Sequence, residues 1–144
     1  MPLRQLYDQH LEIYRLGDQL LESVATDTPD ITVVLGARRT LSQATARHIA
    51  HEARLALAPL SASSDPLDRA LASRYTSAIL AMRQKTSAVV AHWTPKVIGA
   101  DPAGYRRVLE VQLKALAEQG AWEEAEFLPA AARLHAVAPL RKAG

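Results

Sequence analysis

The chain has 144 residues, of which 49% are hydrophobic and 22% charged, a balance that suits one globular domain. It contains no cysteine, which excludes a disulfide framework, a thiolate metal site and a cysteine nucleophile. Seventeen basic and fifteen acidic residues are spread along its whole length, and no apolar run approaches the roughly 18 residues of a membrane span, so neither a nucleic-acid partner nor a membrane segment is expected, and the expected location is cytoplasmic.

Breaks in the chain divide it into four long segments, roughly 3–26, 31–58, 66–93 and 102–128, with 130–144 as a short helical or frayed tail. Asp27-Thr28-Pro29-Asp30 reads as a turn whose last residue caps the next helix. Pro59 to Asp65 reads as a flexible loop ending in Asp65-Pro66, an N-cap followed by proline at the first helical position. Thr94-Pro95 reads as a stop, Asp101-Pro102 repeats the cap-and-proline start, and Pro129 reads as the close of the fourth segment. None of the segments shows strand alternation.

At 100° per residue each segment acquires an apolar face. The first carries Leu3, Leu6, Tyr7, Ile13, Tyr14, Leu21 and Val24; the second carries Val34, Leu41, Leu55 and Ala56. The third carries Leu67, Leu71, Ile79, Met82, Val89 and Trp93, and the fourth Tyr105, Val108, Leu109, Leu116 and Phe127. Four long amphipathic segments with short connections predict an all-α fold, an antiparallel up-down-up-down four-helix bundle.

Polar residues interrupt these faces. His10 stands in the apolar stripe of the first segment, His48 and Glu52 in that of the second, Tyr75 in the third, and Gln119 and Glu123 in the fourth. Buried polar groups are costly unless paired, so their placement needs a reason. Counting from the helix ends, and taking the bundle as antiparallel, all six fall in one layer about 6–9 Å deep at 1.5 Å per residue. Imidazoles and carboxylates on facing helices can supply metal ligands. The alternative is a purely structural polar layer, each histidine paired with a carboxylate across the bundle.

At these residues the sequence resembles the hemerythrin-like (HHE cation-binding) domains over roughly residues 3–130. His10 matches the first ligand position of that family, and His48-Ile-Ala-His-Glu52, with Pro59 behind it, matches the second. Gln119-Gly-Ala-Trp-Glu123, followed by Glu124-Ala-Glu-Phe-Leu-Pro129, matches the fourth with glutamine in place of histidine, and Tyr75 stands where the third segment would supply a histidine. The resemblance implies one nitrogen/oxygen site for iron, manganese or zinc, made by His10, His48, Glu52 and Glu123, with Tyr75 and Gln119 supporting it. A metal-free descendant is the other outcome it leaves open. Since the imidazoles of the family's second iron are missing, reversible oxygen binding is not implied. The expected role is a sensor, stress-related or interaction module, not an enzyme, with a metal ion or small ligand in the core and a protein partner or second copy outside.

A competing motif is His51-Glu52-Ala53-Arg54, which resembles the phosphoacceptor box of sensor histidine kinases. His51 lies roughly 80° off the core stripe at helical spacing, as a phosphoacceptor requires, but the proline that usually follows and an ATP-binding domain are absent. His92 and His135 fall near helix ends and receive no role. Gly17 and Gly120, on or near the buried side, are read as points of close helix approach.

Overall fold

The computed structural model describes residues 3–143, with side chains as far as residue 137; Met1, Pro2 and Gly144, the ends of the expected domain and tail, lie outside the described residues. The described residues form five helical stretches and no strand. Helix α1 spans Arg4–Ser23. Helix α2 covers 31–62 and is made of Ile31–Glu52, a widened turn over Ala53–Leu57, and Ala58–Ala62. Helix α3 is Pro66–His92 and α4 the short Pro95–Ala100. Helix α5 covers 102–143, through Pro102–Trp122, a second widened turn at Glu123–Phe127, and Leu128–Ala143.

The helix starts follow capping chemistry. Asp30 accepts hydrogen bonds from the backbone N–H groups of Thr32 and Val33, Asp65 from Leu67, and Asp101 from Gly104. Thr94 caps α4 by accepting from the Val97 N–H. Proline follows Asp65, Thr94 and Asp101 at the first helical position, where its missing N–H has no intrahelical partner to lose. Thr94-Pro95, read from the sequence as a stop, thus also starts a helix.

Two sequence expectations are corrected here. Pro59 and Pro129 do not end their helices. At each, the backbone widens to bonds spanning five residues, Ala58 N–H to the Ala53 carbonyl and Leu128 N–H to the Glu123 carbonyl. An α-helical proline would clash with the carbonyl four residues back, and the extra residue in the turn relieves that clash. The stretch 59–62 is therefore helical rather than loop, and 130–143, expected as helical or frayed, is helical and continues α5. His135, given no role from sequence, bonds through Nε2 to the carbonyl of Leu55, which Pro59 cannot pair.

The core has two apolar clusters. One gathers Leu3, Leu6, Leu60, Tyr75, Phe127 and Leu128; the other gathers Leu20, Val24, Val34, Trp93, Ile98 and Tyr105. Each fully buried aliphatic or aromatic side chain of this kind contributes about 1.5–3 kcal/mol by leaving water. Since α1 supplies Leu3 and Leu6 to one cluster and Leu20 and Val24 to the other, His10 sits between them. Leu67, expected on the core face of the third helix, is instead 74% exposed. It occupies the second position of α3, where the helix is only beginning to pack.

Helix α1 lies mainly along α2 and also touches α5. The start of α3 packs on the end of α2, and the widened turn of α5 packs on α3. Between Leu80 and His92 no residue of α3 is buried, although Met82 and Val89 are half-covered. That half of α3 stands away from its neighbours.

Candidate metal centre

Each donor is delivered by a helix face between the two apolar clusters. His10 comes from the middle of α1, and His48 and Glu52 from consecutive turns of α2 just before its widened turn. Glu123 opens the widened turn of α5. All four are buried, Glu52 completely. One ligand atom from each lies within 4.8 Å of every other, a group of the kind that could hold a metal ion.

The inward distances are short. His10 Nε2 lies 3.0 Å from Glu123 Oε1 and 3.7 Å from Glu52 Oε2. His48 Nε2 lies 3.2 Å from Glu52 Oε2 and 3.9 Å from Glu123 Oε1. The two imidazole rings meet edge to face, 4.6 Å apart. A cavity of about 30 Å³, comparable to a single water's share of liquid, adjoins these atoms.

Every donor is also gripped from behind. His10 Nδ1 is 2.7 Å from Glu124 Oε2, and His48 Nδ1 donates to Gln9 Oε1 at 2.8 Å. Glu52 Oε1 accepts from the Tyr75 hydroxyl at 2.9 Å, and Glu123 Oε2 accepts from Gln119 Nε2 at 2.9 Å. One atom of each of the four side chains is thereby fixed outward and the other is turned inward. Two of the inward atoms, His48 Nε2 and Glu52 Oε2, are buried and complete no hydrogen bond among the described residues. Such orphaned atoms call for a proton or a cation.

The electrostatics carry the same demand. Burial disfavours a charged His10, but the carboxylates of Glu123, Glu52 and Glu124 around it more than offset that and hold the ring's pKa up at about 10. Burial likewise works against His48 charging, and the same two buried glutamates raise it nonetheless. Burial pushes the Glu52 carboxyl up, yet the His10 and His48 rings beside it hold it well below the ordinary carboxylate range. Tyr75 is pushed far above the usual phenol value by burial and by the Glu52 charge, so it stays a neutral donor. Two neutral imidazoles and two carboxylates would balance a divalent cation, and this mixed nitrogen and oxygen set suits iron, manganese or zinc.

Of the residues singled out from sequence, His10, His48, Glu52 and Glu123 come together, and Tyr75 and Gln119 each touch one of the carboxylates. His51 lies outside the group, half-buried, with Nδ1 2.7 Å from Gln9 Nε2. Sequence reasoning passed over Gln9 and Glu124. Both are chain neighbours of donors, which is the only signal they carry, because their bonds cross between helices. Tyr14, read from sequence only as part of the apolar face, places its hydroxyl in the space over Gly120 where a Cβ would stand. Comparison of the chain with protein-family models, curated proteins and solved structures finds no match. The buried His/Glu group is therefore the feature on which a functional reading rests.

Proposed function

We propose that this chain is a single hemerythrin-like domain, an up-down-up-down four-helix bundle that holds one metal ion through His10, His48, Glu52 and Glu123. In this reading it is a cytoplasmic sensor or interaction module rather than an enzyme. The observation that carries the proposal is the outward tethering of all four donors, by Glu124, Gln9, Tyr75 and Gln119, with His48 Nε2 and Glu52 Oε2 left unpaired inside. A layer built only to pair charges has no need to aim its free atoms at one point. When bound, the ion supplies a Lewis-acidic, and for iron a redox-active, centre. The chain's residues exclude bulk water from it, and the bonds to Gln9 and Glu124 keep the Nδ1 protons on the far side of each ring. His51, tied to Gln9, belongs to the support of His48 in this reading and not to a phosphotransfer chain.

The test is metal analysis of protein purified without chelators, beside a His48→Ala variant. About one ion per chain, lost in the variant, is the expected result for a single site whose ligand is removed. Metal absent from both, with ferrous iron, manganese and zinc each leaving the melting temperature unchanged, overturns the proposal. A second reading, a metal-free polar layer in a helical interaction protein, has one observation in its favour: the His10–Glu123 and His48–Glu52 separations of 3.0 and 3.2 Å suit protonated ion pairs. The same measurement decides between them.

A further inference from the structure

A second feature of the molecule belongs to neither the metal group nor the packed core. The exposed half of α3 stands off α2 and α5, leaving a cleft of about 390 Å³. That is the volume of roughly a dozen liquid waters, within the range of small-molecule sites. Its α2 wall runs from Arg38 to Ile49, about 16 Å at the helical rise. Carbon dominates the walls, to which Leu41, Val89, Leu109 and Leu113 contribute.

The charged groups on the lining are of one sign. Arg38 and Arg83 line the cleft, and no aspartate or glutamate does. Arg38 sits at the end farthest from the His/Glu group, fixed by a 2.8 Å bond from Nη1 to the Trp93 carbonyl. Its guanidinium lies 6.0 Å from the centre of the Tyr105 ring. The half-buried guanidinium forms no ion pair with a carboxylate among the described residues. Arg83, farther along the cleft, is exposed and forms no ion pair among the described residues. At the opposite end the lining is shared with the small cavity beside the metal group through Thr45, Ile49, Ile79, Met82 and Leu116.

We propose that this cleft binds an amphipathic monocarboxylate, a fatty-acid-like molecule whose head lies at Arg38 and whose chain runs towards the His/Glu group. The orientation follows from charge. Glu52 and Glu123 border the inner end and repel a second anion there, whereas Arg38 offers a fork that matches a carboxylate. A phosphate dianion would lose more hydration on entering walls of this composition than a carboxylate does. The volume suits a body of about ten or so heavy atoms. The proposal stands independently of whether the His/Glu group holds metal.

Calorimetric titration of the full chain with decanoate, decanol and decyltrimethylammonium tests it, on metal-free and metal-loaded protein alike. Decanoate is expected to bind saturably, about tenfold or more tighter than the cation, as one charge-assisted pair implies. Ala46→Phe, which places a ring inside the cleft, is expected to abolish binding. Arg38→Met is expected to weaken decanoate about tenfold. Because Arg38 also holds the Trp93 carbonyl, Arg83→Glu on the exposed surface serves as a second variant, expected to weaken decanoate and strengthen the ammonium probe. Absence of saturable decanoate binding, the outcome for a cleft that receives a protein helix instead, overturns the proposal. So do equal affinities for the three head groups, or wild-type affinity in folded Ala46→Phe or Arg38→Met.

Discussion

Gln9 aims the ring of His48: its amide oxygen accepts the Nδ1 proton at 2.8 Å, while its amide nitrogen lies 2.7 Å from His51 Nδ1. This bond is what leaves Nε2 facing the carboxylates. Replacing Gln9 with leucine keeps the bulk at a half-buried position and frees the ring to rotate. Metal affinity, measured by competition with a chelator, is expected to fall about 10- to 100-fold, the usual effect of losing an outer partner of a ligating histidine. Helix content should not change. An unaltered affinity would show that packing alone orients His48.

The Tyr75 hydroxyl is the one partner of Glu52 Oε1 in a fully buried position. Tyr75→Phe preserves the stacking on Phe127, whose ring lies 4.4 Å away, and removes only the bond. A buried carboxylate oxygen left unpaired costs about 1–3 kcal/mol. For a chain of this size that lowers the melting temperature by about 3–10 °C. A drop below one degree would show that the hydroxyl is not holding Glu52.

Gly120 and Tyr14 compete for one volume. A Cβ at position 120 would collide with the Tyr14 hydroxyl and stand 3.7 Å from His10 Nδ1. Gly120→Ala should be destabilising by about 1–2 kcal/mol despite alanine's better helix propensity. Tyr14→Phe removes the colliding atom, leaving Cζ at 3.2 Å from the new methyl. The double variant is therefore expected to recover most of the loss. Strictly additive effects in the urea-unfolding cycle would deny the contact.

The pH dependence of the metal-free protein follows from His10. Its pKa is raised to about 10 in the folded chain from an ordinary 6.5, burial being outweighed by the carboxylates around it. A raised pKa stabilises the fold fully below the unfolded value and loses that contribution as pH climbs through the folded one. Thermal stability should thus decline between about pH 6.5 and 10, by about 5 °C or more. Glu52 acts in the other direction: its depressed pKa gives stability above the ordinary carboxylate range that is lost on acidification. In His10→Gln the alkaline decline should shrink to the part that His48, whose pKa is also raised, contributes, and a decline of the same size there would assign it to another group.

The helical class and the polar layer could be read from the chain because both are periodic. His10, His48, Glu52 and Glu123 break apolar stripes that a 100° wheel makes visible, and the buried ends of the layer follow from counting residues along each helix. Capping residues Asp30, Asp65 and Asp101 announce themselves by type and by the prolines behind two of them. The helix ends near Pro59 and Pro129 were illegible, since proline normally stops a helix and only the surrounding packing decides whether a widened turn carries it through.

What the sequence by itself determined is which side chains lie on the inner faces and at what depth, since α-helical spacing is a local property. The tertiary structure alone decided how those side chains are held. Gln9 to His48, Glu124 to His10, Tyr75 to Glu52 and His135 to the Leu55 carbonyl are bonds between residues distant in the chain. No periodicity encodes them. The cleft under α3 is decided in the same way, because a half-apolar helix looks alike in sequence whether it closes on its neighbours or stands off from them.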